Sequence, residues 1–298
     1  MEDANATFGR VQPKMLGVAY RMLGSLAEAE DVVQDVWLRW HDTDVKQVDN
    51  PEAWLVAATT RRAIDRLRLA RNEREQYVGI WLPEPVLTGN ADDPATPEQV
   101  QEAASDLSIA FLTVLERLAP EARAAFLLHE VFEAGYAEIA AILGKSEAAT
   151  RQIVHRAKNQ LREERPRYAV SDQAHRRLMR EFLDALSRGD LEGMKALMAE
   201  SATLVGDGGG IVTSFPEPML GGDRIAALLY AAILRYRRDL RVEQALINGR
   251  LGLLRYVRGE LESAQSFDTD GERILRVYVQ LNPDKLRSLA QGHVVMLA

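Results

Sequence analysis

The sequence predicts a multidomain chain in which two small all-α modules are followed by an α+β domain. Three observations carry this. Apolar residues recur at helical spacing through residues 8–74 and again through 105–165. The segment between them, residues 76–104, holds Pro83, Pro85, Pro94 and Pro97, five acidic groups and no basic one. Beyond residue 172, short helical stretches give way to alternating strand-like segments parted by Asn248-Gly249 and Asp270-Gly271, both strong hairpin signals. The expected domains are 1–75, an acidic linker over 76–104, 105–168 and 169–298. A length of 298 residues suits two or three domains at roughly 150 residues each.

The first helix carries Phe8, Val11, Met15, Ala19 and Met22 on one face and stops at Gly24. Ser25-Leu26-Ala27-Glu28 reads as a capping box opening the second, in which Val33, Val36, Trp37 and Trp40 share a face. Glu28, Asp31 and Asp35 form an acidic stripe opposite it, either a protein-docking surface or, at Glu28, a complement to the helix dipole. Asn50-Pro51 opens the third helix, which carries Trp54, Leu55, Ala58, Ile64 and Leu67. The linker begins with Trp81-Leu82-Pro83-Glu84-Pro85, which cannot be helix interior because each proline lacks an amide and restricts the residue before it.

In the second module Ile109, Leu112, Leu115 and Leu118 form one face, and Pro120 opens a helix with Phe126, Leu127, Val131 and Phe132. Tyr136–Leu143, the turn Gly144-Lys145-Ser146 and a basic helix from Glu147 make a helix-turn-helix pattern. A recognition helix reads base edges from its N-terminal half, where Thr150, Arg151, Gln152, His155 and Arg156 lie; Lys158 and Arg162 suit phosphates. In the last domain, helices over His175–Arg188 and Leu191–Met198 precede a strand at Ala202–Val205. A turn at Asp207-Gly208-Gly209-Gly210 and a helix at Asp223–Arg237 come next. Strands follow near 241–247, 252–257, 260–267 and 274–281, an α+β arrangement.

Composition narrows the function. The contents of 47% hydrophobic and 27% charged residues exclude general disorder. The longest apolar run, Ile225 to Leu234, is about half a membrane span, and the acidic N-terminus has no apolar core for a secretory signal. Absence of cysteine excludes disulfides, thiolate zinc sites and cysteine nucleophiles. The five histidines are scattered, so neither metal nor cofactor is expected, and the protein is expected in the cytoplasm. A net charge of −7 argues against a bulk nucleic-acid coat. Two local runs oppose that balance: Arg61–Arg74 has six arginines against Asp65 and Glu73, and Glu147–Arg167 has six basic residues against three acidic. They are two anion-contacting elements or two solvated helix faces. His175, Asp184, Asp207, Asp223, Tyr256, Asp268 and His293 are the acid–base groups of the last domain; none shows a catalytic spacing, and no enzyme is expected.

These residues resemble a known family. The two helical modules look like domains two and four of the sigma-70 family, specifically the extracytoplasmic-function sigma factors of bacterial RNA polymerase. Residues Ala29–Trp37 resemble the segment that docks on the β′ clamp helices of core polymerase, which implies docking roles for Asp31, Gln34, Asp35 and Trp37. Trp54-Leu55 with Ile64–Arg68 resembles the helix that melts and reads the −10 element, implying Arg61, Arg62, Asp65, Arg66 and Arg68; the loop 41–50 resembles the one that holds an unstacked −10 base. Gly135–Leu161 resembles the −35-reading helix-turn-helix, implying Thr150, Arg151, Gln152, His155, Arg156 and Lys158. The Trp81–Pro85 segment, Asp207-Gly208-Gly209-Gly210 and Asn282-Pro283-Asp284-Lys285-Leu286 are similar to three motifs of the SigJ-like subgroup, which carries a fused SnoaL-like cone domain.

The resemblance implies promoter-specific transcription initiation, with core RNA polymerase (β′ clamp helices and β subunit) and promoter DNA as partners. It also implies control in cis by the last domain. The alternative is a fusion whose last domain binds or converts a small molecule. Trp81 is too apolar to remain solvated in an acidic linker, so it packs either on the preceding module or on the last domain. The second choice places it near Asn282–Leu286, where Pro283 would end the final strand and leave Asp284 and Lys285 exposed.

Overall fold

The computed structural model describes residues 4–44, 47–89, 106–162, 170–236 and 238–297. The chain divides into two compact units that interleave in sequence. The first comprises residues 1–76, 112–165 and 296–298; the second comprises 77–111 and 166–295.

In the first unit, α1 (Ala4–Leu23), α2 (Leu26–His41) and α3 (Pro51–Glu75) form the N-terminal helical part. The start signals act as the sequence predicts. Ser25 Oγ accepts the Glu28 amide at 3.4 Å, and Asn50 Oδ1 accepts the Ala53 amide at 3.1 Å ahead of Pro51. Helix α4 (Ile109–Leu115) contains the boundary between the units. Helices α5 (Pro120–Glu130), α6 (Tyr136–Leu143) and α7 (Glu147–Arg162) complete the first unit. Gly144 closes α6 in the left-handed region, φ 64°, where a side chain would be strained.

The two helical parts of this unit share one apolar core. Phe8, Met15, Val36, Trp40, Leu55 and Val56 pack in the same cluster as Ala125, Leu128, Ile139, Ile142 and Val154. Arg123, buried in α5, donates to the Met22 carbonyl at 2.7 Å and to Glu116 at 2.8 Å. Arg74 joins the same Glu116 to the Leu23 carbonyl.

The second unit is a mixed seven-stranded sheet with helices on both faces. The strands are β1 (Leu87–Gly89), β2 (Met198–Asp207), β3 (Met219–Leu220), β4 (Leu240–Ile247), β5 (Arg250–Val257), β6 (Glu260–Thr269) and β7 (Ile274–Gln280). Their order is β1-β4-β5-β6-β7-β2-β3, antiparallel except for β2 beside β7. Helices α8 (Asp172–Arg188), α9 (Leu191–Ala196) and α10 (Gly222–Tyr236) cover the face bearing Leu253, Phe267, Val277 and Val279. Helix α11 (Pro283–Ala290) covers the opposite face through Leu286 and Leu289, against Ala245, Leu254 and Ala264. Alternation along each strand supplies the two apolar faces.

Three expectations need correction. The strand expected at 202–205 begins earlier, at Met198, so the helix before it stops at Ala196. Pro283 does not end a strand: Asn282 caps helix α11 through its side chain, with Pro283 in the first turn. The linker expected as a separate segment over 76–104 belongs in its first part to the second unit. Residues 82–87 are all buried, and 87–89 join the sheet as edge strand β1 beside β4. The rest of the acidic stretch, 90–105 with Asn90, Pro94 and Pro97, lies outside the described residues. So do Val45 and Lys46 of the loop 41–50, Arg165 and Arg167 of the second basic run, and Arg237.

Candidate nucleic-acid interface and linker clasp

Helix α7 buries Thr150, Val154, Ala157 and Leu161 along one stripe. Arg151, Gln152, His155, Arg156 and Lys158 all fall on its exposed side. Thr150 departs from the expected set of base readers: it is buried, and its hydroxyl donates to the Ser146 carbonyl at 3.0 Å, tightening the first turn. Ser146 Oγ caps the helix through the Ala149 amide at 3.2 Å. Arg151 is aligned by Glu147 at 3.1 Å and lies 5.2 Å over the Tyr136 ring. Lys158 reaches Glu130 at 2.7 Å. The outer face of α7 thus carries two guanidinium groups and an amide, side chains of the kinds that can pair with base edges.

Arg61, Arg62, Arg66 and Arg68 of α3 are engaged within their own unit. Arg62 binds Asp35 at 2.6 Å and Arg66 binds Glu28 at 2.8 Å, so two members of the acidic stripe face α3. Asp31 and Gln34 stay exposed on α2, whereas Trp37 is half-buried, edge-on to Phe8 at 4.6 Å between ring centres. Arg68 bridges Asp65 and Glu121 at 3.1 and 2.8 Å. Lys145 from the helix-turn-helix turn also binds Glu121, at 2.9 Å, and its ammonium holds that carboxyl below the usual range. Arg61 donates to the carbonyls of Ala141 and Ile142, the last turn of α6, both at 3.0 Å. A cation at a helix C-terminus is favoured by the dipole there. Two of the −10 candidates, Arg61 and Arg68, therefore hold the −35 candidates' own module, while Arg62 and Arg66 hold α2.

In the second unit the three sequence motifs meet at one buried carboxylate. Asp207, fully buried at the end of β2, accepts from Lys285 Nζ at 2.7 Å, the Tyr77 hydroxyl at 2.6 Å and the Leu82 amide at 2.9 Å. The Gly209 amide at 3.0 Å and Gln280 at 3.3 Å complete its shell. Lys285 also donates to the Leu82 carbonyl at 2.6 Å and lies 4.3 Å from the Trp81 ring centre and 4.9 Å from that of Tyr77. The expected exposure of Lys285 is thus wrong: helix α11 aims it inward, and its side chain is 12% exposed, while Asp284 stays at the surface. Asn282 Nδ2 donates to the Tyr77 hydroxyl at 2.9 Å. Burial, with Asp207 accepting its hydroxyl, pushes the Tyr77 phenol up.

Each glycine of 208–210 is there for a close approach. A Cβ on Gly208 would stand 1.9 Å from the Val212 carbonyl oxygen, one on Gly209 2.3 Å from Asn282 Nδ2, and one on Gly210 3.0 Å from Val78 Cβ. Asp207-Gly208-Gly209-Gly210 is a turn, as read from sequence, and also the surface on which residues 77–82 lie. Leu82 packs with Ile109 and Tyr278, and Pro83, Glu84 and Pro85 are buried beside it. Leu286 points away from this contact into the α11 cluster.

Sequence reasoning missed Asn248. It sits in the β4–β5 turn at φ 52°, as an Asn-Gly hairpin requires, yet it also pins the linker. Its Oδ1 accepts the Val86 amide at 3.0 Å and its Nδ2 donates to the Leu107 carbonyl at 3.0 Å. Full burial of a turn asparagine is the sign of such a second role, and burial is not legible in a hairpin motif.

Comparison with known proteins agrees with these elements. The family Sigma-70 region 2 matches residues 7–73, and Sigma-70, region 4 matches residues 108–161. The chain is 35% identical over 291 residues to the ECF RNA polymerase sigma factor SigJ of Mycobacterium tuberculosis, covering 93% of this chain and 91% of that protein. It is 29% identical to the probable ECF RNA polymerase sigma factor SigI of the same species, covering 92% of each. The crystal structure of M. tuberculosis SigJ superimposes with a TM-score of 0.74 at 32% identity, over 94% of this chain and 97% of that one. Two sigma-type helical parts, a helix-and-sheet C-terminal unit and a full-length relative at this identity lead to one conclusion: the chain belongs to the extracytoplasmic-function sigma factors of RNA polymerase.

Proposed function

We propose that this sigma factor is governed by its own C-terminal unit through the clasp on residues 77–86. In this reading the exposed edge of α2, Asp31 and Gln34, docks on the β′ clamp helices, with a further contact on the β subunit. The outer face of α7 reads the −35 element, with Arg151, Gln152, His155 and Arg156 toward base edges and Lys158 toward phosphate. Arg61, Arg62, Arg66 and Arg68 serve the −10 element once released. The protein works in the cytoplasm alongside core polymerase, and the C-terminal unit regulates without turning over a substrate.

Geometry supports a closed resting state. The −10 and −35 elements lie roughly 25 base pairs apart, about 85 Å at 3.4 Å per base pair. The longest helix, the 25-residue α3, spans only about 38 Å at 1.5 Å per residue. Two modules that share one apolar core cannot reach both elements at once, so the first unit opens before a promoter is read. The sequence between those modules, residues 77–111, belongs to the second unit and includes the clasped segment. Holding or releasing it sets how far the modules can part.

The observation that carries this reading is the burial of Asp207 among Lys285, Tyr77 and Leu82. Run-off transcription with core polymerase tests it, comparing the parent with Lys285→Met, Trp81→Ala and a chain ending before Asn282. Each variant is expected to change promoter-dependent transcription while −35 DNA binding by the helix-turn-helix persists. If all three transcribe like the parent, the clasp has no regulatory role.

A further inference from the structure

Six buried side-chain polar atoms among the described residues have no hydrogen-bond partner, and four of them line one cavity of the second unit. They are Ser214 Oγ, Arg255 Nε, Glu262 Oε2 and Ser263 Oγ. The cavity holds about 520 Å³ between α10 and the sheet, a volume in the range of small-molecule sites. A second cavity of the same size, lined by Leu183, Tyr230 and Leu240, has none of these atoms. A buried polar group left unsatisfied is costly, so four in one place mark a surface built for a partner.

The strands are arranged to present these atoms together. Neighbours on a strand point to opposite faces, yet Glu262 and Ser263 both line the cavity. In the β5–β6 ladder Arg255 pairs with Ser263 and Tyr256 with Leu261, so the register shift leaves Glu262 as the extra residue and turns it to the same side. Gly206 keeps the wall open: a Cβ there would stand 2.5 Å from Ser214 Oγ. The rest of the lining is apolar, including Leu204, Leu229, Val279 and Leu281.

Charge selects the occupant. Arg255 and Glu262 already pair with each other through Nη2 and Oε1, leaving Nε of the guanidinium as a buried donor and Oε2 of the carboxylate as a buried acceptor. A ligand carboxylate would lie against Glu262, and a ligand ammonium against Arg255. Arg235 also lines the cavity but is exposed, stacked on Tyr236, where water weakens its pull. We propose that this cavity binds an uncharged, mainly aliphatic molecule whose single head group both donates and accepts hydrogen bonds, of the primary carboxamide or alcohol class. Its wall, Gly206 and Val212–Phe215, flanks the Asp207–Gly210 turn that holds the linker, so an occupant lies against the residues on either side of that turn.

Octanamide, 1-octanol, octanoate and octylammonium are titrated into the full chain at neutral pH by calorimetry. The two neutral probes are expected to bind saturably, and the two charged ones at least tenfold more weakly. Ala232→Phe fills the cavity and should abolish octanamide binding. Ser263→Ala removes an unpartnered hydroxyl, so it should leave thermal stability unchanged or raised while weakening octanamide about three- to tenfold. The two signs together separate a ligand contact from a structural one, and this variant carries the test if Ala232→Phe does not fold. Equal binding of all four probes, no saturable binding of either neutral probe, or Ser263→Ala that lowers stability with octanamide affinity intact overturns the proposal. The proposal rests on reading the second unit as a regulator only for its consequence: octanamide binding without any change in run-off transcription keeps the site and removes that consequence.

Discussion

Replacing Lys285 with methionine tests whether the clasp is a true buried ion pair. Asp207 has no exposed surface and Lys285 is 12% exposed, so deleting the ammonium leaves a carboxylate stranded away from water. Tyr77, Leu82 and Gly209 would still donate to it, but none carries charge. Removing one member of a buried pair costs about 3–5 kcal/mol, against a total domain stability of about 5–15 kcal/mol. At 1.4 kcal/mol per tenfold, local opening should become about a hundred- to several-thousand-fold more frequent. Hydrogen exchange reads this directly, because the Leu82 amide donates to Asp207 itself and the Val86 amide to Asn248. Asp207→Asn combined with Lys285→Met removes both charges and should recover much of the protection, giving a coupling of about 2 kcal/mol or more. Protection at Leu82 within threefold of the parent in Lys285→Met, or strict additivity in the double variant, would mean that the Asp207–Lys285 pair does not hold the clasp.

Burial drives His175 down to a pKa of about 4, with its ring bonded to the Leu251 carbonyl at 2.9 Å. The folded value lies below the ordinary 6.5, so the neutral ring's contribution is fully present above pH 6.5 and lost as pH falls toward 4. Roughly 3 kcal/mol of stability of the second unit should disappear over that window in urea melts, and His175→Gln should flatten the dependence. On the recognition helix, Arg151→Ala or Arg156→Ala should cost about 1–3 kcal/mol and relax one promoter base, measured by binding to a library of −35 sequences. Lys158→Ala should weaken all sequences alike and lower the salt slope by about one. Asp31→Lys reverses an exposed charge with no fold contact at stake, so core-polymerase affinity in a pull-down should drop at least tenfold with unfolding unchanged.

Local chemistry was legible in the sequence. Ser25 and Asn50 cap the helices they were read to cap, and Asn248-Gly249 turns the hairpin it was read to turn. Nonlocal pairing was not. Three residues, Leu87–Gly89, are too few to announce a strand, and their partners lie some 160 positions away at Leu246 and Ile247. Helix α11 was missed although Asn282-Pro283 repeats the Asn50-Pro51 start signal, because the preceding strand pattern dominated. Thr150 was read as a base contact by its place at the helix start, yet the spacing it shares with Val154, Ala157 and Leu161 marks the buried stripe. The arginines of α3 reveal their partners only once α2 and α6 are folded beside them.

Interleaving of the two units has a consequence for the order in which the protein is made. Leu82 leaves the ribosome about two hundred residues before Lys285, which at 5–20 residues per second is a delay of about 10–40 s. Early in that interval both helical modules can fold, whereas Leu82 waits about 125 residues for Asp207 and Leu87 about 160 for β4. A nascent chain therefore carries the segment 77–89 for that time before the elements that bury it have all been made. Chains that stop before α11 hold Asp207 and β4 but never gain the Lys285 ammonium that pairs with that carboxylate.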